Sequence, residues 1–180
     1  MIQKIITVPH KLLRQKSEPV GKIDKKIKKI IDDLLITVKE ASDPEGLGLS
    51  AIQIGQPVRI FVAKIGRNFE VFINPEIKFY SKKKLKGILP KEKLLFEGCL
   101  SVPRIYGFVN RPFEIQISWQ DEKGQKKTKR FKDKLSVCIQ HEFDHLEGLL
   151  FTDRLLKEKG RIYELKKDEK GEDYFEEVSI

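Results

Sequence analysis

One short run combines two histidines and a glutamate at a spacing that can bind a metal ion. It reads His141-Glu142-Phe143-Asp144-His145, and it contains two of the three histidines in the chain. On an α-helix, residues four apart lie on one face about one turn from each other, so both imidazoles can reach a single ion. Glu142 lies beside that face, where it can take a proton from water rather than bind the ion. The run therefore predicts a hydrolytic metal site, with Asp144 as a supporting or surface group.

Two imidazoles do not complete such a site, because catalytic zinc-type centres usually have three protein ligands and one open position. His10 follows a proline in a polar setting that favours a loop role. Cys138 lies in an apolar flank three residues before His141, which is typical of a buried core residue. Cys99 follows Gly98, which permits unusual backbone geometry beside the thiol. The residues alone leave Cys99 open between a metal ligand and an ordinary buried cysteine.

A glycine-rich stretch, GLGLSAIQIG at 46–55, allows a ligand to approach the backbone closely. Gln53 within it can donate an amide hydrogen bond to an oxygen that gains negative charge in a reaction. A nucleotide-binding loop is excluded, since the third glycine of that pattern is missing, no predicted strand precedes the stretch, and no Gly-Lys-Ser/Thr occurs.

Hydrophobic periodicity predicts the elements that would position these residues. Apolar positions recur at helical spacing from Asp24, a plausible N-cap, to about Ala41, where the pair at 43–44 ends the pattern. A second helix is predicted over 134–147, with Gly148 as its C-cap. β-branched and aromatic runs predict strands at 58–63, 69–73 and 113–119, and 121–124 reads as a hairpin turn into 125–131.

The rest of the chain has weaker signals. A third helical pattern follows Asp153 to about Lys167, a strand is expected over 174–180, and 81–93 reads as a surface loop or hairpin. We therefore predict an α+β fold in which antiparallel strands pack around a central helix that carries the metal motif. The 180 residues are expected to form one domain, 1–180, with 152–180 as a C-terminal helix and strand extension.

Composition narrows the function classes. The net charge of +9 comes from several lysine clusters with acidic neighbours, a pattern typical of solvated faces, so no specific nucleic acid is expected as a partner. Two cysteines are too few for a disulfide scaffold. No apolar run is long enough for a membrane span, and the start of the chain lacks a signal-peptide pattern, so we expect a cytoplasmic protein without membrane contact.

Three segments together resemble the peptide deformylase family, whose members remove the formyl group from N-terminal formylmethionine. They read GLGLSAIQIG, EGCLS and HEFDH, at 46–55, 97–101 and 141–145, in the order that the family pattern has them. The one departure is Ser50, where the family usually has alanine, and it exchanges one small residue for another. The resemblance also covers 9–14 and extends to about Phe151.

The resemblance implies a metal centre and its catalytic groups. One divalent ion would be bound, ferrous iron natively, with zinc, nickel or cobalt able to replace it in purified protein. Its ligands would be Cys99, His141 and His145. Glu142 would act as general base and then general acid for water that attacks the formyl carbonyl. Gln53 and the backbone N–H of Leu100 would hold the formyl oxygen.

The resemblance also implies a substrate channel for N-formylmethionyl peptides and nascent chains. Backbone pairing with the peptide is expected at one wall of the channel, and two further residues would enclose the methionine side chain. An arginine would lie near the channel. The residues so implied are Gly46, Leu47 and Gly48 for the wall, Val137 and Cys138 for the methionine pocket, and Arg111 for the arginine.

Two alternatives stay open at the level of sequence. A zinc metallopeptidase would use Glu164, nineteen residues after His145, as its third ligand. A basic ribosome- or RNA-binding protein with a structural metal would need neither Glu142 nor an open coordination position. Contact with the ribosome through the slightly basic C-terminal tail is a further hypothesis.

Overall fold

The computed structural model describes residues 1–42, 45–85 and 96–178. The predicted α+β fold with antiparallel sheets is confirmed. The described residues contain three α-helices, two short 3-10 helices (Lys11–Arg14 and Ala51–Ile54) and nine strands. The α-helices are α1 (Lys25–Glu40), α2 (Asp133–Leu146) and α3 (Phe151–Glu158). The strands are β1 (Gly48–Ser50), β2 (Ile60–Ile65), β3 (Asn68–Tyr80), β4 (Glu97–Cys99), β5 (Val102–Gly107), β6 (Glu114–Gln120), β7 (Lys126–Lys132), β8 (Ile162–Lys167) and β9 (Asp173–Val178).

A five-stranded antiparallel sheet, in the order β1-β2-β3-β6-β7, separates two hydrophobic clusters. Successive side chains of a strand point to opposite faces. On β2, Ile60 and Val62 therefore pack in the cluster that includes α1, while Phe61 and Ala63 pack in the cluster that includes Ile139 of α2. Burial on both faces explains why β2 is a continuous apolar run rather than an alternating one.

The first two predicted helices form where the sequence places them. The side chain of Asp24 accepts a hydrogen bond from the N–H of Ile27 at 3.0 Å and so caps α1. Helix α2 ends one residue before the predicted position, and Gly148 follows with φ of 72°, a conformation that glycine adopts without strain. The N–H of Leu149 bonds to the carbonyl of Asp144 at 3.0 Å, so the chain turns back onto the end of the helix.

The C-terminal part differs from the prediction. The expected helix to about Lys167 ends at Glu158, because Lys159 takes a left-handed conformation with φ of 51° and Gly160 follows it. Residues 162–167 instead form β8, which pairs with β5 on one side and β9 on the other. Backbone partners on both sides outweigh the weak helical pattern. The expected final strand is confirmed as Asp173–Val178, and 179–180 lie outside the described residues.

The second sheet, in the order β4-β5-β8-β9, brings β4 beside the metal-motif helix. Of the predicted surface loop at 81–93, only residues up to Leu85 are described, and the predicted helix stop at 43–44 also lies outside the described residues. Within the described ranges, no helix combines the length and apolarity needed to cross a membrane.

Candidate metal centre

Three side chains from two elements converge on one buried point. His141 and His145 project from α2, and Cys99 ends β4. Their ligand atoms all lie within 4.8 Å of one another, and the sulfur of Cys99 is 3.3 Å from Nε2 of His145. The helical spacing thus brings the two imidazoles together as expected, and the strand supplies the thiol that sequence reasoning alone could not assign.

This donor set fits a divalent ion. The Nδ1 atom of His145 is buried and has no hydrogen-bond partner among the residues described. Burial lowers the pKa of His145 well below its usual value, with the charge of His141 acting in the same direction, so the ring favours the neutral form that binds metals. A thiolate with two imidazoles suits iron or zinc rather than magnesium or calcium.

Glu142 lies next to the three donors, between β1 and a cavity. Its Oε2 accepts a hydrogen bond from the hydroxyl of Ser50 at 2.8 Å. Burial raises the pKa of Glu142 to about 7, although the charge of His141 and the hydrogen bond from Ser50 oppose that shift. A β-carbon placed on Gly48 would lie 2.5 Å from Oε1 of this carboxylate, so only glycine allows the close approach. A carboxylate whose pKa lies near neutrality can both accept and return a proton.

Gln53 is held beside the thiol by bonds at both ends of its amide. Its Oε1 accepts from the backbone N–H of Ser50 at 2.8 Å, and its Nε2 donates to the hydroxyl of Ser101 at 3.0 Å. The same Nε2 lies 3.6 Å from the sulfur of Cys99. The amide N–H groups are therefore directed to the thiol side of the cavity, where the sequence predicts an oxygen-binding donor.

A cavity of about 260 Å³ opens in front of Glu142 and His141. The cavity is lined by most of the residues that the sequence predicted for catalysis and substrate binding. They are Gly46, Leu47, Gly48, Gln53, Cys99, Leu100, Val137, Cys138, His141 and Glu142. Cys138 is half-buried rather than core filler. Burial raises the pKa of its thiol, which stays protonated and acts as part of the apolar wall.

The predicted place of Arg111 at the channel needs correction. Its side chain is 1% exposed and is not among the residues that line the cavity. Its Nε and Nη2 donate to the two oxygens of Glu97 at 2.6 and 2.8 Å, and its Nη1 donates to Asp144 at 2.8 Å. Three of the five N–H groups of the guanidinium are thus bound by two carboxylates, and burial keeps the side chain away from a peptide in the cavity. The planar fork of arginine suits this bidentate pairing.

The ion pairs around Arg111 form a buried network that reaches the metal ligands. Nδ1 of His141 lies 3.0 Å from Glu97, and both oxygens of Asp144 are bound by Arg154 of α3, at 2.5 and 2.6 Å. Sequence reasoning left Asp144 between a supporting and a surface role, and it gave Glu97 and Arg154 no role. The only signal for Glu97 was its place in EGCLS, two residues before Cys99.

Two residues that the sequence raised as candidates lie outside the site. His10 is exposed, and its Nδ1 accepts from the N–H of Leu12 at 3.2 Å, which caps the first 3-10 helix. Glu164, the alternative third ligand, lies on β8 with its carboxylate 3.7 Å from Lys166, and it does not belong to the group of metal donors.

Comparison with known proteins assigns this geometry to a family. The model of the family described as polypeptide deformylase matches residues 2–161. The chain belongs to the polypeptide deformylase family. Members of this family are metal-dependent hydrolases that act on the N-formyl amide of nascent peptides, and this chain is a hydrolase of that class. The resemblance that the three sequence segments indicated is thereby confirmed.

Relatives and solved structures of deformylases match most of the chain. A peptide deformylase of Phenylobacterium zucineum is 40% identical over 177 residues, which cover 94% of this chain and 98% of that protein. The peptide deformylase of Pelagibacter ubique is 41% identical and covers 88% of each. The structure of Plasmodium falciparum peptide deformylase in complex with an inhibitor superposes with a TM-score of 0.74 at 39% identity, covering 87% of this chain and 93% of that one.

Proposed function

We propose that this chain removes the formyl group from the N-terminal formylmethionine of newly made polypeptides in the cytoplasm and releases formate. Hydrolysis adds water across the formyl C–N bond, so that the hydroxyl goes to the formyl carbon and a proton goes to the amine. One observation carries the proposal. A Cys-His-His donor group lies at the wall of a cavity that Glu142 also lines, so a bound ion and an acid–base group would meet the same carbonyl.

The metal would be held by Cys99, His141 and His145, and we propose ferrous iron in the cell, with zinc, nickel or cobalt able to replace it. An ion at that position supplies Lewis-acid chemistry: it acidifies water and polarises a carbonyl oxygen. Glu97 would hold the ring of His141 through Nδ1, which leaves Nε2 of that ring for the ion. The neutral form of His145 favours binding.

Glu142 would take the proton from the attacking water and return it to the departing amine. Its pKa of about 7 in the metal-free chain supports both directions of transfer near neutral pH. Gln53 and the backbone N–H of Leu100 would donate hydrogen bonds to the formyl oxygen as its negative charge grows. The amide of Gln53 is already directed toward the Cys99 side of the cavity by its bond to Ser101.

The cavity walls support a peptide substrate that begins with an apolar side chain. Gly46, Leu47 and Gly48 would pair with the peptide backbone at the edge of β1. Val137 and Cys138 would enclose the methionine side chain, and the protonated thiol of Cys138 suits that role. Arg111 would support the site from behind through Glu97 and Asp144 instead of contacting the substrate. Contact with the ribosome stays a prediction.

The test measures formate released from formyl-Met-Ala-Ser by anaerobically purified, iron-loaded protein. The Glu142→Ala variant should keep its metal and lose about 10²- to 10⁴-fold in kcat, the usual contribution of acid–base catalysis. Cys99→Ser should lose the metal. The matched control is Glu164→Gln, which should keep both metal and turnover.

The outcomes separate the deformylase proposal from the metallopeptidase alternative. A metal-loaded parent that releases no formate would reject the deformylase activity for this chain. Loss of metal from Glu164→Gln together with metal retained by Cys99→Ser would instead establish a glutamate-ligated peptidase centre.

A further inference from the structure

Ser50 is the one position at which the glycine-rich segment departs from the family pattern, and its hydroxyl touches the acid–base group. The residue ends β1 and is fully buried. Its backbone N–H is satisfied by Oε1 of Gln53 at 2.8 Å. Ser50 is also the N-cap of the 3-10 helix Ala51–Ile54, and its hydroxyl has further partners on Glu142.

The hydroxyl of Ser50 lies 2.8 Å from Oε2 of Glu142 and 2.9 Å from the backbone carbonyl oxygen of the same residue. A hydroxyl has one proton to donate, and an ionised carboxylate is a stronger acceptor than a carbonyl. We propose that Ser50 is a positioning residue of this chain, which anchors Oε2 of Glu142 so that Oε1 exchanges protons with the reacting groups. The proposal rests on the acid–base role of Glu142 given above.

The surroundings of the two carboxylate oxygens support this division. Oε2 is tied to the end of β1, whereas Oε1 lies against Gly48, which lines the cavity. In the part of the chain that the structure describes, no hydrogen bond engages Oε1. A free glutamate side chain would sample several rotamers, and one anchored oxygen removes that freedom without occupying the atom that must react. An alanine at position 50 would pack in the same space but leave the carboxylate unanchored.

Ser136 provides a matched control for the loss of a buried hydroxyl. It is also fully buried, and it lies on the same helix as Glu142. Its hydroxyl bonds to the carbonyl of Pro112 at 3.1 Å and to the amide of Gln140 at 2.9 Å, with no contact to Glu142. Ser136→Ala therefore removes comparable hydrogen bonds from the same helix and measures what the packing change alone does.

The experiment compares the iron-loaded parent, Ser50→Ala and Ser136→Ala in formate release from formyl-Met-Ala-Ser, with metal content and Tm measured on each. Ser50→Ala should lower kcat about tenfold at a KM within about twofold of the parent, because a misplaced acid–base group slows chemistry rather than binding. Its metal content should stay at the parent value, and its Tm should match that of Ser136→Ala. Ser136→Ala should keep the parent kcat.

A double-mutant cycle shows whether the effect passes through Glu142. In a Glu142→Ala background, adding Ser50→Ala should change the residual kcat less than twofold. A tenfold fall in that background as well, an equal fall in Ser136→Ala, unchanged kcat in Ser50→Ala, or a fall explained by lost metal would each overturn the proposal. Parent-like turnover by Glu142→Ala alone would instead reject the proposed acid–base role, so the two failures are distinguishable.

Discussion

Two carboxylates beside His141 are buried to a similar degree and yet have opposite pKa shifts. Glu97 is 7% exposed and Glu142 is 4% exposed. Burial by itself would raise the pKa of both groups. For Glu97, the charge and fork of Arg111 and the hydrogen bond to His141 outweigh burial and bring the pKa to about 2. For Glu142, burial prevails and the pKa rises to about 7.

The two pKa shifts differ because the carboxylates have different numbers of hydrogen-bonding and charged partners, not because they lie at different depths. The face of α2 toward Glu97 carries a network of ion pairs in which every carboxylate oxygen named above is bound by arginine or histidine. Glu142, by contrast, has a single side-chain donor among the residues that the structure describes, Ser50. A fully paired carboxylate fixes geometry, and a sparsely paired one can change its charge during a reaction. We call the network around Arg111 the paired side of α2 and the surroundings of Glu142 its reactive side, although Glu97 also lines the cavity.

The largest expected effect comes from removing the centre of the paired side. Arg111→Met would leave the carboxylates of Glu97 and Asp144 buried without their shared cation, and it should lower the free energy of unfolding by about 3 to 5 kcal/mol. Urea unfolding measures this change. The control Arg161→Met alters an exposed arginine just before β8 and should leave the unfolding curve of the parent unchanged. A loss below about 1 kcal/mol in Arg111→Met would mean that the network contributes little to stability.

A smaller effect is expected on the metal. Glu97→Gln keeps the shape of the side chain but loses the charge that holds Nδ1 of His141, and it should weaken zinc or cobalt binding about 10- to 100-fold. Competition with a chromophoric chelator measures the affinity. Glu158→Gln, which changes an exposed glutamate bonded to Asn110, is the matched control and should bind as the parent does. Equal affinities in the two variants would contradict the positioning role of Glu97.

Elements with strong local periodicity were predictable from sequence. The α1 stripe, the strands at the centre of the large sheet and the metal-motif helix all repeat apolar residues at the period of their structure. Residues 162–167 lacked such a period, and their strand depends on pairing with β5 and β9, which local sequence does not reveal. The C-terminal helix was therefore predicted too long.

The site was predictable where its residues are neighbours in sequence or belong to a family motif, and not where the partners are distant. Ser50 was read as a small-for-small exchange, because its acceptor lies 92 residues away in the chain. Arg111 was placed at the channel, because its partners Glu97 and Asp144 are 14 and 33 residues away and have no periodic relation to it. Buried polar pairs across elements leave no pattern in a single sequence.

The last expected effect concerns pH and compares the two carboxylates directly. In chelator-treated protein, Glu142 keeps its proton up to about pH 7, whereas the unfolded chain releases it near 4.5. Stability should therefore rise as the pH falls from 7 to 4.5. Glu97 has the opposite sign: its pKa of about 2 adds stability above pH 4.5 that is lost as the pH falls toward 2. Each group contributes a slope of at most about 1.4 kcal/mol per pH unit.

Urea unfolding from pH 7 to pH 2 of the parent, Glu142→Gln and Glu97→Gln separates the two contributions. Relative to the parent, Glu142→Gln should gain most at pH 7 and become equal below about 4.5, because both side chains are then neutral. Glu97→Gln should lose most above about 4.5, and its deficit should shrink toward pH 2. Parallel curves for all three proteins would mean that neither carboxylate has a different pKa in the folded and the unfolded chain. The contrast between the paired and the reactive side of α2 would then not depend on the charges of Glu97 and Glu142.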